Sequence, residues 1–207
     1  LDRAHGAAAD IGGLFVGEAA GADQQQRFAF TVTGAHDLAV GTGQARLKAP
    51  LLFLPDVLQP ADLFPKLGNL VLDANADIAL DAEVRWSPKG IRQTGRLTAS
   101  VDHLETAELS VRGASTEVTL ASLVPPATAG PQRVTIARLD VGVPLTLGIA
   151  TFDLRSLDDI RVHLEQFDLF GGQVRAEPIH LNPDTLSFDT VLNIDGIDLG
   201  QALRFAE

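Results

Sequence analysis

Cysteine is absent from all 207 residues. That excludes disulfides and thiolate metal sites, and it leaves the redox compartment open, since an oxidising periplasm and a reducing cytosol both accept a cysteine-free chain. Methionine and tyrosine are absent as well, and tryptophan occurs once. A chain without Met, even at position 1, is expected to be an excerpt of a longer one, with any signal peptide or membrane anchor lying outside it. Aromatic residues are 5% against 45% hydrophobic, so the apolar content is aliphatic. That suits a smooth apolar surface better than a site that stacks rings. Basic side chains are outnumbered 16 to 27, for a net charge of −11. Nucleic-acid binding needs a clustered basic face, and an anionic membrane surface attracts basic segments, so both are argued against. No run approaches the ~18 consecutive apolar residues of a spanning helix.

What the chain does have is alternation. From Leu70 to Trp86 every even position is apolar, Leu72, Ala76, Ile78, Leu80 and Val84 among them. The odd positions carry Asp73, Asn75, Asp77, Asp81, Glu83 and Arg85, broken only by Val71 and Ala79. Successive side chains of a strand point to opposite faces, so this is a ribbon with one apolar and one polar side. It is roughly three times the usual strand length of about 5–6 residues.

The same pattern recurs along the chain. Asp10–Glu18 reads as a short strand, Phe28, Phe30 and Val32 begin a second, and 36–48 a further one, with Gly41 and Gly43 inside it suggesting a bulge. Four prolines interrupt 50–68, where Leu58, Leu63, Phe64 and Leu67 fit one face of a short helix begun near Pro60. Ser87-Pro88-Lys89-Gly90 is a turn signal. It leads to Leu97 and Val101 in the second arm of an antiparallel hairpin. Leu109 and Val111 continue the meander. Strands follow near 133–141, 148–155, 159–169, 173–181 and 185–195, the last placing Leu186, Phe188, Leu192 and Ile194 on one face. Asp198 reads as the N-cap of a terminal helix. The expected fold is mainly all-β: about ten to twelve antiparallel strands and one or two short helices. Long strands and interior glycines favour a long, curled, groove-forming sheet over a closed barrel. Residues 1–207 read as one segment, with a possible sub-boundary near 124–132.

Chemistry-bearing motifs are weak. Asp73-Ala74-Asn75-Ala76-Asp77 mimics the start of a calcium loop, but Ile78 and Val84 stand where Gly and Glu are needed. The five histidines form no HxH or HxxxH pair. His103/Glu105 and His163/Glu165 share a strand face, as ordinary surface pairs do. There is no GxSxG elbow and no phosphate-binding glycine loop. No catalytic residue, metal or cofactor is expected, and an enzyme is the least supported class. The apolar face has two readings. One is an ordinary core covered by a second layer. The other is a groove for acyl chains, in which a chain of ~14 methylenes gains roughly 11 kcal/mol gross at about 0.8 kcal/mol per buried CH₂.

The C-terminal third carries more specific pieces: Leu139-Asp140-Val141-Gly142-Val143-Pro144-Leu145, Gly171-Gly172-Gln173-Val174-Arg175 with Glu177-Pro178, and Gly196-Ile197-Asp198-Leu199. In order, over about 75 residues, they resemble the YdbH branch of the AsmA-like intermembrane phospholipid transport proteins, whose relatives include TamB and YhdP. The resemblance implies a periplasmic, bridge-like β-groove that moves phospholipids between the membranes of a Gram-negative envelope. It implies an inner-membrane anchor outside this segment and a small outer-membrane lipoprotein added by strand pairing. It supplies no catalytic residues. An older label for this domain, dicarboxylate transport, would require Arg or Lys converging on the interior face, whereas most Arg here fall on polar strand faces. An envelope-assembly module with a self-covered core is the alternative. Expected groove-lining residues are Leu72, Ala76, Ile78, Leu80, Val84, Leu97, Val101, Leu109, Val111, Phe188, Leu192 and Ile194.

Overall fold

The computed structural model describes residues 8–20, 25–55, 57–63, 71–156, 158–181 and 190–206. Among them the chain forms thirteen strands of one sheet and two short helices. The strands are β1 Ala8–Ala20, β2 Gln25–Asp37, β3 Thr42–Phe53, β4 Asp73–Ser87, β5 Gly90–Glu105, β6 Ser110–Leu123, β7 Pro126–Thr128, β8 Gln132–Asp140, β9 Pro144–Ser156, β10 Asp159–Leu169, β11 Gly172–Ala176, β12 Ile179–Leu181 and β13 Leu192–Asp195. The helices are α1 Pro60–Leu63 and α2 Leu199–Ala206. Every pairing is antiparallel. The sheet runs in chain order from β1 to β13, with β7 and β12 off the main path, and it does not close into a barrel. Ten steps between neighbours, at about 4.8 Å each, carry it roughly 48 Å across the strands.

Among the described residues no second layer covers this sheet, yet its two faces differ. Ala82 is 1% exposed and Ala150 2%, while Ala79 and Ala137, on the opposite face, are exposed. The residue type is the same, so the difference comes from the surroundings: larger apolar side chains crowd one side, as Leu120 and Leu123 do over Gly95 beside Ala82 and as the Phe167 cluster does around Ala150, and bulge-like steps in the strands bend the sheet.

The bend has a sequence-level cause. On five neighbouring strands the inward apolar residues step by three instead of two: Val101 to Leu104 in β5, Val111 to Ala114 in β6, Ile136 to Leu139 in β8, Leu145 to Gly148 in β9 and Leu164 to Phe167 in β10. Between them two residues face away from the apolar side. Asp102, Gly113, Ala137 and Leu147 drop out of the ladder at one level, while the pairs on either side keep constant register, as in Ile136↔Gly148 and Arg138↔Thr146. In β10 the step is a register shift between Leu164 and Gln166. Gly113 takes φ +61° and Leu147 +50°, the left-handed region that bulges exploit. Two consecutive outward residues on each strand fold the sheet along a crease.

Other elements correct the expected strand bounds. Gly41 is not inside a strand. With φ +67° it ends the turn at 38–41 that joins β2 to β3, and its N–H donates to Asp37 O at 2.9 Å. Leu109 closes a turn in which the Thr106 N–H donates to its carbonyl at 2.9 Å, and β6 starts only after it. The stretch 173–181 breaks into β11 and β12 at Glu177-Pro178, as proline's missing donor requires. α1 covers only Pro60–Leu63, and 64–70 lie outside the described residues, as do Leu186 and Phe188.

The loop at 124–131 is stitched into the sheet. The Gln93 side chain accepts from Val124 N at 3.1 Å and donates to Val124 O at 3.2 Å. β7 pairs with β6 where β8 ends. The Thr128 hydroxyl then accepts from Leu154 N at 3.0 Å and donates to the buried Asp153 carboxylate at 2.9 Å, which joins β7 to β9. Arg155 donates to the same carboxylate at 2.9 Å. That bond holds the Asp153 carboxyl below its ordinary pKa against the opposing effect of burial, and Thr128 adds to it.

Two outcomes follow from the crease and this seam. Gly113→Val puts a β-branched residue at positive φ, with its Cβ only 2.9 Å from Ala137 Cβ. It should lower stability by about 1–3 kcal/mol, read as a lower urea midpoint. For Asp153, a depressed folded pKa gives stability that is present above the unfolded value near ~3.9 and is lost as pH falls through the folded value. Asp153→Asn should therefore flatten the fall in stability at acid pH. An unchanged acid limb in the variant would show that the Arg155–Asp153–Thr128 contact does not carry it.

Candidate binding face

The apolar face is built from rows that cross the strands in register. Leu51, Ile78, Ala99, Thr116, Val134, Ala150 and Leu164 form one row from β3 to β10. Next to it run Phe53, Ala76, Val101, Ala114, Ile136 and Gly148. On the other side, Leu80 faces Leu97 and Leu97 faces Val118. Opposed residues of an antiparallel pair share a face, so each row is a continuous apolar rail, interrupted in the first only by Thr116.

The polar face is the reverse. A depression there of about 520 Å³ is walled by Arg46, Lys48, Asp81, Glu83 and Arg96 among others. Its charges pair across strands, Lys48 with Asp81 at 3.7 Å and Arg96 with Glu117 at 3.2 Å. Such exposed pairs hold a solvated surface and add little stability. Arg85, Arg92, Arg112, Arg133 and Arg138 are exposed on the same side or at strand ends. No group of three or more metal-ligating side chains occurs among the described residues. His103 instead lies 3.4 Å from Glu105.

Two clusters bury parts of the apolar face. One, at the β3–β4 connection, holds Phe53, Leu58, Ala74 and Ala76, with Ile78 and Val101 packed against it. Gln59 fixes it: its side chain accepts from Ala74 N at 2.8 Å and donates to Leu54 O at 2.9 Å and Ala74 O at 3.1 Å. The other joins the two sides of the crease. Leu139, Leu145, Ala150, Phe167, Leu169 and Val174 are buried together, and Leu109, Val111, Ile136 and Leu164 pack on them. Toward the β4–β5 turn from the first cluster, Leu47, Leu80, Leu97 and Leu120 are half-buried, and Leu120 lies with Leu123 over Gly95. Near the turn end of β4, the Trp86 ring lies over Gly43 and donates to His36 Nδ1 at 3.0 Å.

The residues expected to line the face fall into groups. Ala76 pairs directly with Val101, and Leu80 with Leu97; Ile78 lies in the adjoining row. Val84 faces Gln93, whose amide is engaged by Val124. Leu109 and Val111 belong to the cluster beyond the crease. Leu72 is 60% exposed just ahead of β4; Leu192 and Ile194, on β13, are about half exposed. Phe188 is outside the described residues. Sequence reasoning missed the β8–β10 part, Val134, Ile136, Ala150 and Phe167. The signal was present as the repeated three-residue step, which a strict two-residue count passes over.

α2 adds a separate apolar stripe. Asp198 caps it, its Oδ1 accepting from Gly200 N at 2.8 Å and Gln201 N at 3.2 Å. Bonds from the Gln201 side chain first, then these backbone groups, lower the Asp198 pKa. Leu199 and Leu203 remain 74% and 68% exposed, and Phe205 touches Phe170 at a ring distance of 5.3 Å. No helix among the described residues is long and apolar enough to cross a membrane.

Compared with known families, residues 16–207 match the YdbH-like family, described as intermembrane phospholipid transport protein YdbH. No curated protein and no solved structure matches the chain.

Proposed function

Because this chain belongs to the YdbH-like family of intermembrane phospholipid transport proteins, we propose that its apolar face is a groove along which phospholipid acyl chains pass through the periplasm, while the headgroups stay in water. The observation that carries this reading is the set of in-register apolar rows crossing the strands from β3 to β10. The rows run along the stacking direction of the sheet. A chain lying on them meets aliphatic surface at nearly every ~4.8 Å step, with Thr116 the exception in the first row. Hydrophobic attraction is non-directional and scales with area, so such a surface holds acyl chains with little regard for headgroup. The process is passive, and no catalytic group is assigned.

The full-length protein would be anchored in the inner membrane of a Gram-negative envelope. β1 and β13 each have one strand partner among the described residues, and a small outer-membrane lipoprotein would add a strand at one of these edges. Dicarboxylate binding is less favoured. It would need guanidinium or ammonium groups on the apolar face, and Arg46, Lys48, Arg85 and Arg96 stand on the other. The two buried clusters favour a second reading in part, that of an assembly module whose apolar face is a dry core.

Native mass spectrometry with lipid extraction separates the two. The chain purified gently from a Gram-negative host should carry phospholipid. Ile78→Asp and Leu97→Asp should each lower bound lipid by about tenfold or more, as loss of ~1.5–3 kcal/mol of apolar contact implies, with the strand signal in circular dichroism retained. A folded wild-type chain that carries no lipid would overturn the groove.

A further inference from the structure

Every second connection of an antiparallel meander falls at the same end of the sheet. The turns at 38–41 (β2 to β3), 88–89 (β4 to β5) and 124–125 (β6 to β7) therefore stand along one rim. They are joined side by side. Pro88 lies 3.8 Å from where a Cβ on Gly41 would stand, and the Gln93 amide on β5 holds Val124 by both its N–H and its carbonyl. What these tips offer to solvent is apolar. Leu38 and Val40 in the first turn, Ile91 beside the second and Val124 in the third are each more than half exposed, and Pro88 and Pro125 are exposed with them. Turns favour small and polar residues, so a row of exposed aliphatic tips marks a contact surface.

The charge at this rim runs against that of the chain. Arg85, Lys89 and Arg92 line, with Trp86 and Ile91, a depression of about 360 Å³ at the tip of the β4–β5 hairpin. Arg85 and Arg92 are directly opposed in the register, a like-charge pairing that costs stability on a bare sheet. Glu83 bonds Arg85 at 2.9 Å. Lys89 and Arg92 have no ion-pair partner among the described residues. At the first turn the Asp37 carboxylate is engaged by the Ala39 and Val40 N–H groups, which donate to it at 2.9 and 3.4 Å. Exposed charges are screened beyond about 8 Å at physiological ionic strength. A surface that meets these tips therefore senses the hairpin's cations more than the net −11 of the chain.

We propose that this rim docks on the surface of an anionic phospholipid bilayer. The aliphatic tips enter the headgroup layer, Lys89 and Arg92 meet lipid phosphates, and Trp86 stands half-buried just behind them. Tryptophan suits that boundary because its body is apolar and its N–H polar. Lys and Arg suit it because their stems lie along apolar surface while the charged heads reach polar groups. The docking does not depend on the groove reading, yet it supplies that reading with a source of lipid. Inward from the Trp86–Ile91 pair, the Ala82–Gly95 and Leu80–Leu97 pairs follow, so the half-buried leucines lie within about 20 Å of the tip along the strands.

Flotation tests this, with vesicles of phosphatidylethanolamine and phosphatidylglycerol and, for comparison, of phosphatidylcholine alone. The chain should float with the anionic vesicles and bind phosphatidylcholine about tenfold less. Trp86, the only tryptophan, should shift its emission to shorter wavelength on binding. Ile91→Ser with Val124→Ser in one chain, and Lys89→Glu with Arg92→Glu in another, should each weaken vesicle binding by about tenfold. All four side chains are exposed, so circular dichroism should match that of the wild-type chain. Leu203→Ser, on the exposed stripe of α2, should leave flotation unchanged. A chain that carries co-purified lipid but does not float, or floats equally well in both rim variants, would overturn the docking and leave the groove standing. One that floats through the rim yet carries no lipid would leave the docking and overturn the groove. Self-association without vesicles, dispersed by Ile91→Ser with Val124→Ser and found in place of flotation, would make the rim a contact between copies and overturn the docking as well.

Discussion

Among the described residues the antiparallel sheet is accompanied only by two helices of four and eight residues and has no second layer, so its apolar side must be covered by other means. Leaving it in water costs about 25 cal/mol for each Å² of apolar area, more than a marginally stable chain tolerates over a face of this length. The molecule meets the demand locally. Curvature shields the small residues, the Phe53–Leu58 loop covers one end, and the crease brings two walls together at the other. What these devices leave only half-buried includes Leu47, Leu80, Leu97 and Leu120, neighbours on adjoining rows toward the β4–β5 turn. That patch is the part of the face on which the groove reading rests, while the rest of the same face serves as core.

The crease depends on two outward residues per strand, and most of these are polar or small where they meet water; Leu147, 69% exposed, is the exception. Asp102, Arg112, Gly113, Ala137 and Arg138 are all exposed. Arg112 stands directly opposite Arg138, a like-charge pairing that is unfavourable on a sheet surface. Asp140 lies 2.9 Å from Arg138 on the same strand and offsets it. On β5, the neighbouring His103 is matched by Glu105 in the same way, two residues along its own strand. The acidic excess of the chain is thus spent in part along the outer edge of the fold line, where bending crowds outward side chains least.

Much of this was legible in the sequence. Antiparallel topology, the hairpin at Ser87–Gly90, the cap at Asp198 and the one-sided ribbon of β4 all follow from alternation and turn chemistry, because each is a local property. The crease is not local. Leu145-Thr146-Leu147-Gly148 alone looks like a lapse in pattern; it acquires meaning only when Arg138, Arg112 and His103 are known to lie beside it across three ladders. Gly41 was misread for a related reason. A glycine inside an alternating run is consistent with a bulge or with a turn, and only the pairing of His36 with Gly43 decides for the turn. Of the binding face, the half on β4 and β5 could be read directly. The half on β8 to β10 could not, since its phase changes in mid-strand.

On the groove reading, moving an acyl chain by one strand spacing exchanges aliphatic contacts for aliphatic contacts, so the free energy along the rows is nearly level and the rows themselves set neither a rate nor a stopping point. The packed clusters do set bounds. Phe53 and Phe167 are buried in them, and displacing a buried aromatic side chain costs on the order of 1.5–3 kcal/mol by area alone, which slows a step by roughly ten- to a hundredfold. The half-buried leucines of β3 to β6 carry no such cost, so on this reading a lipid rests there first.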